Sequence, residues 1–262
     1  MAHEKSVRRK EPTRPAAPAP GWSPERILFE DEWLIVVDKP AGVPTQPTLD
    51  ARRASVHSTL ATFLREREGR EPYLGLQHRL DRDTSGVLLF TRNPGANAGV
   101  TALFAGKNVR KTYLAIAVTG TGAPDAWEVA NHLAVVGRVG KASRFGAVRS
   151  SGDAARTSFR VVERLSGALL VEASPYTGRT HQIRVHLAES GHPILGDPLY
   201  GGPTYLRGSG GGGMIGAPRV LLHASGLEFA HPMTQALMKV TCPPPEDFDQ
   251  CLRTLRSAAA SR

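Results

Sequence analysis

The sequence predicts an α+β fold built on a largely antiparallel or mixed central sheet, with helices and loops flanking it. Three observations predict it. Short apolar runs bounded by Gly, Pro and Asn outnumber segments with helical spacing. The connections between those runs are short, as in hairpins. A regular strand–helix–strand alternation is missing, and no glycine-rich fingerprint follows the first strand, so dinucleotide-binding and P-loop readings are weak.

Order begins near Trp22. Residues 26–30 and 33–38 read as two strands joined by a short acidic turn, and Lys39-Pro40-Ala41-Gly42 stops the second. Residues 56–67 have helical spacing, with Leu60, Phe63 and Leu64 on one face. Residues 86–91 are apolar almost throughout, the pattern of a strand buried on both sides. Asn93-Pro94 opens a helix that runs through Phe104, and residues 111–118 form a strand bearing Tyr113. Residues 137–152 carry no period and are expected to be a mobile loop. Residues 155–165 and 168–173 are two more strands, turned at Ser166-Gly167. Residues 180–190 form a helix stopped by Gly191-His192-Pro193. Residues 208–213 are a glycine-rich insert, residues 220–229 and 235–241 a hairpin across His231-Pro232, and residues 246–256 a terminal helix.

Composition bounds the rest. A chain of 262 residues with 40% hydrophobic and 22% charged residues has enough apolar material for one sizeable core. Residues 1–21 stand apart from residues 22–262. Lys5, Arg8, Arg9, Lys10 and Arg14 outweigh Glu4 and Glu11, and prolines recur at 12, 15, 18 and 20, so a disordered basic tail is expected. A net charge of +9 and a pI of about 10.0 favour a polyanionic partner. The two cysteines, Cys242 and Cys251, have no metal-ligand spacing and make no disulfide framework, which fits a reducing cytoplasm. The first ten residues lack an apolar segment, and no apolar run is long enough to span a bilayer.

The densest chemistry lies in residues 76–90. Asp81 and Asp83 sit among Arg79, Arg82 and His78, just before the apolar strand. A reacting carboxylate benefits from nearby guanidinium groups, because they favour its charged form. His78-Arg79-Leu80-Asp81 followed by Thr84-Ser85-Gly86 resembles the signature of the RluA family of RNA pseudouridine synthases. Other landmarks occur in the same order. They are Asp38-Lys39-Pro40-Ala41-Gly42, then Arg110-Lys111-Thr112-Tyr113, then residues 177–186 around Arg179 and Arg184. Residues 191–197, ending in Gly196-Asp197, and Leu222-His223-Ala224 complete the set. The resemblance spans residues 27–245 and implies one pseudouridine synthase catalytic domain. Only about 25 residues precede the first strand, so an N-terminal S4 RNA-binding domain is not expected.

The resemblance implies that uridine in RNA is isomerised to pseudouridine with no cofactor and no metal. The bond from ribose C1′ to uracil N1 breaks, the base turns, and C1′ rejoins at C5. Asp81 is implied as the catalytic carboxylate. Attack at C1′, attack at C6 and elimination to a glycal remain open. Arg184 is implied as its ion-pair partner. The helix from residue 180 would put His181, Arg184 and Ala188 on one stripe beside apolar Ile183 and Leu187. Read without the resemblance, Arg184 would be a surface ion pair and Tyr113 a core strand tyrosine. With it, Tyr113 stacks on the target base and assists proton removal from C5. Arg79 fills the gap left by the flipped base. Arg179 and Lys111 meet phosphate, Leu222 packs on the base or in the core, and His78 fixes the loop as a hydrogen bonder. Asp83 is read as structural.

Lys107, Arg110 and Lys111, with Arg138, Lys141, Arg144 and Arg149, form two basic clusters able to track an RNA backbone, residues 137–152 clamping it. The implied partner is RNA, a ribosomal or transfer RNA stem-loop, bound by a monomer away from membranes. Two rivals remain at this point. One is an RNA-binding protein without activity. The other is a glycosidase using Asp81 and Asp83, disfavoured because residues two apart tend to point in different directions.

Overall fold

The computed structural model describes residues 22–47, 53–119, 122–140, 142–207 and 213–260. The expected tail, Lys141 and most of the glycine-rich insert lie outside the described residues. The strands are β1 (Ile27–Glu30), β2 (Leu34–Lys39), β3 (Gly75–Leu76), β4 (Ser85–Thr91), β5 (Arg110–Val118), β6 (Ala126–Val139), β7 (Ala142–Val148), β8 (Asp153–Arg164), β9 (Ala168–Pro175), β10 (Tyr205–Arg207), β11 (Met214–Gly216), β12 (Leu222–Ala230) and β13 (Leu237–Thr241). The helices are α1 (Val56–Glu68), α2 (Asn97–Ala105), α3 (Gln182–Glu189) and α4 (Glu246–Ala260).

Among the described residues, eleven strands make one sheet in the order β1-β2-β4-β12-β5-β9-β8-β6-β7, with β3 added beside β4 and β13 beside β12. Every pairing is antiparallel except β12 with β4, so the sheet is mixed, as the sequence predicts. The small β10–β11 hairpin stands outside it.

The apolar runs explain the layering. In β2, Leu34 and Val36 join one core cluster with Val100 of α2, while Ile35 and Val37 join another with Leu60 and Leu64 of α1. Alternate residues of β4 divide the same way, Val87 and Leu89 against Leu88 and Phe90. Both faces are therefore covered, which is why a near-continuous apolar run was needed there. A third cluster packs Phe248, Leu252 and Leu255 of α4 and Ile183 and Leu187 of α3 against β5 and β9. At the β4–β12 seam, Gly86 has φ of +110°, and a Cβ there would lie 2.1 Å from the Ala224 carbonyl oxygen, so only glycine fits.

Residues 137–152 are not a loop. β6 and β7 pair from His132 with Val148 to Val139 with Ala142, turning through Gly140 at φ +59°. Beyond Leu133 the hairpin is mostly open, with Val135, Val136 and Val139 exposed and Phe145 half-buried. With so little of either face buried, in–out alternation is imposed only weakly, and the sequence carries no strong period to read.

A second difference lies at α3. It starts at Gln182 rather than at residue 180, because His181 has φ of +57° and stands outside the helix. Gln182 ties the turn instead. Its Oε1 accepts from the Thr177 hydroxyl (2.6 Å) and the Arg179 N–H (3.0 Å), and its Nε2 donates to the Arg156 carbonyl (3.0 Å) and the Thr157 Oγ1 (2.8 Å).

Two partly or fully buried histidines give the fold an acid limit. His78 Nε2 accepts the Leu89 N–H at 3.0 Å, and burial, helped by Lys111, pulls its pKa down to about 3. His186 lies 2.9 Å from Thr157 Oγ1 and 3.0 Å from Asn131 Oδ1, and burial pulls its pKa down to about 4. Both folded values lie below the ordinary histidine value of 6.5, so the unfolded chain binds protons first as pH falls. Stability is expected to be whole above pH 6.5 and to fall toward pH 4, by up to about 1.4 kcal/mol per pH unit for each histidine. Urea unfolding at pH 7 and pH 5 measures this; equal midpoints would contradict it.

Candidate active site

Residues 77–84 form the loop that leads into β4, between β2 and β12 in the sheet, and buried cations pin its backbone. Lys39, at the end of β2 and fully buried, donates to the carbonyls of Thr84 (2.7 Å), Pro40 (2.8 Å) and Arg82 (2.9 Å). Burial pulls the Lys39 pKa down to about 7, against the attraction of Asp83 and Asp81. Three carbonyl acceptors nevertheless require three N–H donors, which only the ammonium form supplies. Arg219 holds the far side through the Asp83 carbonyl (3.2 Å) and the Ser85 hydroxyl (3.3 Å), anchored in turn by Asp247 at 2.6 Å. Thr45 bonds Leu80 in both directions, Oγ1 to the carbonyl at 2.8 Å and the amide to Oγ1 at 3.2 Å. His78 fixes the loop, as expected for a hydrogen bonder, and stacks on Phe104 at 4.7 Å.

This loop forms one wall of a cleft of about 990 Å³. Asp81, Tyr113 and Arg184 all line it, as do His78, Arg79, Lys111, Arg179 and Leu222. The loop before β4 supplies Asp81, β5 supplies Tyr113, α3 supplies Arg184 and the start of β12 supplies Leu222, which is also core.

Arg184 Nη1 lies 3.3 Å from Asp81 Oδ2. Its tighter partner is one that the sequence reading did not assign. Asp197, fully buried, takes two parallel hydrogen bonds from Arg184, from Nε at 2.7 Å and from Nη2 at 2.8 Å. Burial opposes the Arg184 charge, but Asp197 first and Asp81 second outweigh it and hold its pKa above the ordinary value. The arrangement is a fork: one guanidinium locked by a buried acid and offered edge-on to a second, partly exposed acid. The available signal for Asp197 was its place in the Gly196-Asp197 landmark. Gly196 has φ of +82°, and a Cβ there would sit 1.8 Å from the Arg219 carbonyl oxygen.

Tyr113 is held as a neutral phenol, its pKa pushed up by burial and by Asp81. That direction suits stacking and hydrogen-bond donation and works against proton removal by Tyr113. Lys111 donates to the Thr177 carbonyl at 3.0 Å, and burial and Arg179 lower its pKa to about 8. Arg179 donates to the Ala154 carbonyl at 3.1 Å and stays exposed. Arg79 is exposed in the cleft and makes no ion pair among the described residues. Asp83 pairs with Arg82 at 3.0 Å and does not line the cleft, so Asp81 and Asp83 do not face each other across it as a glycosidase pair would.

A family model described as RNA pseudouridylate synthase matches residues 33–189, more than half of the chain. The chain belongs to the RNA pseudouridylate synthase family. Relatives agree with that placement. The chain is 35% identical over 252 residues to ribosomal large subunit pseudouridine synthase D of Xanthomonas campestris pv. campestris, covering 92% of this chain and 72% of the relative. It is 36% identical over 232 residues to ribosomal large subunit pseudouridine synthase C of Escherichia coli K12, covering 88% and 70%. The solved structure of human RNA pseudouridylate synthase domain containing 4 resembles this fold with a TM-score of 0.68 at 27% identity, covering 88% of this chain and 93% of that one. This synthase is thus an enzyme that isomerises uridine in RNA to pseudouridine. Among its described residues no helix is long and apolar enough to cross a membrane, and no group of His, Cys, Asp or Glu is placed to hold a metal ion.

Proposed function

We propose that this synthase acts as a cytoplasmic monomer on a uridine of large-subunit ribosomal RNA, with Asp81 as the catalytic carboxylate. The observation that carries the residue assignment is the partly exposed Asp81 carboxylate facing Arg184 at 3.3 Å inside a cleft wide enough for a nucleotide. The flipped uracil lies between Tyr113 and Leu222, and Arg79 enters the space it leaves in the RNA. Asp81 serves as nucleophile at C1′ or at C6 of the base, or as base at the ribose. In either case the C1′–N1 bond breaks, a C1′–C5 bond forms, and the hydrogen on C5 departs as a proton while N1 gains one. Arg184, clamped by Asp197, keeps a positive charge beside the acid throughout.

The RNA backbone crosses the cleft rim past Arg179 and Lys111. An adjoining groove of about 430 Å³ shares Lys111 and Pro175 with the cleft and adds Lys107, Arg110 and the exposed Tyr176. Arg138 and Arg144 lie on the β6–β7 hairpin, so that cluster rides on a strand pair rather than on a loop. The relatives named for the ribosomal large subunit support the choice of RNA.

Pseudouridine mapping of total RNA from cells with and without this gene tests the reading. Loss of modification at a large-subunit ribosomal position is expected. Loss in transfer RNA instead would overturn the substrate, and an unchanged map would overturn the cellular role.

A further inference from the structure

His181 lines the cleft next to Asp81, and the resemblance gives it no role. We infer that His181 is a positioning residue for Asp81, held by Tyr200 in the tautomer that carries its proton on Nε2. The inference rests on Asp81 being the reacting carboxylate.

Hydrogen-bond direction favours one tautomer. The Phe145 backbone N–H lies 3.1 Å from the Tyr200 hydroxyl oxygen and can only donate, so that oxygen accepts. The Tyr200 hydroxyl hydrogen is then free to point at His181 Nδ1, 2.7 Å away. With the hydroxyl hydrogen so directed, Nδ1 accepts and the proton of the neutral ring is left on Nε2. Nε2 lies 3.9 Å from Asp81 Oδ2, so a small turn of the carboxylate brings the two into hydrogen-bond range. Burial pushes the His181 pKa down, and Arg184 adds to that, against the pull of Asp81 and Asp197.

The ring is also fixed in orientation. Phe145 and Tyr200 both meet it edge-on, at 5.5 Å and 5.6 Å between centroids. Its backbone sits at φ +57°, a left-handed conformation that a non-glycine residue adopts only where its surroundings hold it. Tyr200 supports the other partner of Asp81 as well, since the Arg184 guanidinium carbon lies 5.0 Å from its ring centroid. Asp81 is therefore flanked by two donors resting on one tyrosine. Phe145 belongs to β7, so the β6–β7 hairpin, which carries Arg138 and Arg144, starts this chain of contacts.

Three variants and one spectrum test the inference. In the substrate-free wild type, ¹⁵N NMR of His181 should show the Nε2–H tautomer; an Nδ1–H tautomer overturns the inference whatever the kinetics. Tyr200→Phe should lose that tautomer preference. His181→Ala should lower kcat about 10–100-fold with KM little changed, the scale of losing an orienting partner. His181→Gln should recover part of that loss, because its amide N–H reaches the place of Nε2. Full kcat in His181→Ala, or equal loss in the Gln and Ala variants, overturns it. Turnover surviving in Asp81→Asn would instead sink the reading of Asp81, while the tautomer measurement stands apart from it.

Discussion

Asp81→Asn is expected to cut turnover about ten-thousand-fold or more, the scale on which a reacting side chain matters, while leaving the fold intact. Asparagine has the same shape and keeps one carbonyl oxygen, but it can neither add to carbon nor take a proton. The Asp81 side chain is 28% exposed and its contact with Arg184, at 3.3 Å, is the longer of that arginine's carboxylate contacts, so little stability is lost with it. Arg184 stays paired through Asp197. Release of tritium from RNA labelled at uridine C5 reads the turnover, since that hydrogen must leave when C1′ bonds to C5. A thermal melt reads the fold. Turnover near that of the wild type would refute the role given to Asp81.

Asp197→Ala should strike stability and activity together. Asp197 is fully buried, and its carboxylate takes both parallel hydrogen bonds from Arg184. Removing it leaves a guanidinium that is itself only 8% exposed with the single, longer carboxylate contact to Asp81. Breaking a buried pair from one side costs about 3–5 kcal/mol. Asp197→Asn should cost less, because one acceptor oxygen remains. Urea unfolding of the two variants measures the difference. Turnover should fall too, since Arg184 is no longer locked in place beside Asp81. Wild-type stability in Asp197→Ala would show that Arg184 finds water or another partner, and the clamp would lose its standing.

Much of this molecule was legible in the chain. The strands that became β2 and β4 were readable because burial on both faces forces apolar residues at every position. The helix that became α1 announced itself by spacing, and the structure caps it with Ser55 at its start and Gly69 at φ +68° at its end. The β6–β7 hairpin was missed because most of it is exposed on both faces, leaving its backbone ladder without a side-chain signature. The start of α3 was placed two residues early because a left-handed histidine leaves no mark on hydrophobic spacing.

The same division runs through the site. Residue pattern by itself determined a mixed-sheet fold and a polyanionic partner, and the motifs, through the family they resemble, named the acid, tyrosine and arginine that the fold then brings into one cleft. Only the tertiary structure decided what those side chains rest on. Lys39 under the loop, Asp197 behind Arg184, and Tyr200 behind His181 act across 45, 13 and 19 positions of chain. Support of that kind is a matter of distance and hydrogen-bond direction, and neither quantity exists until the chain has folded.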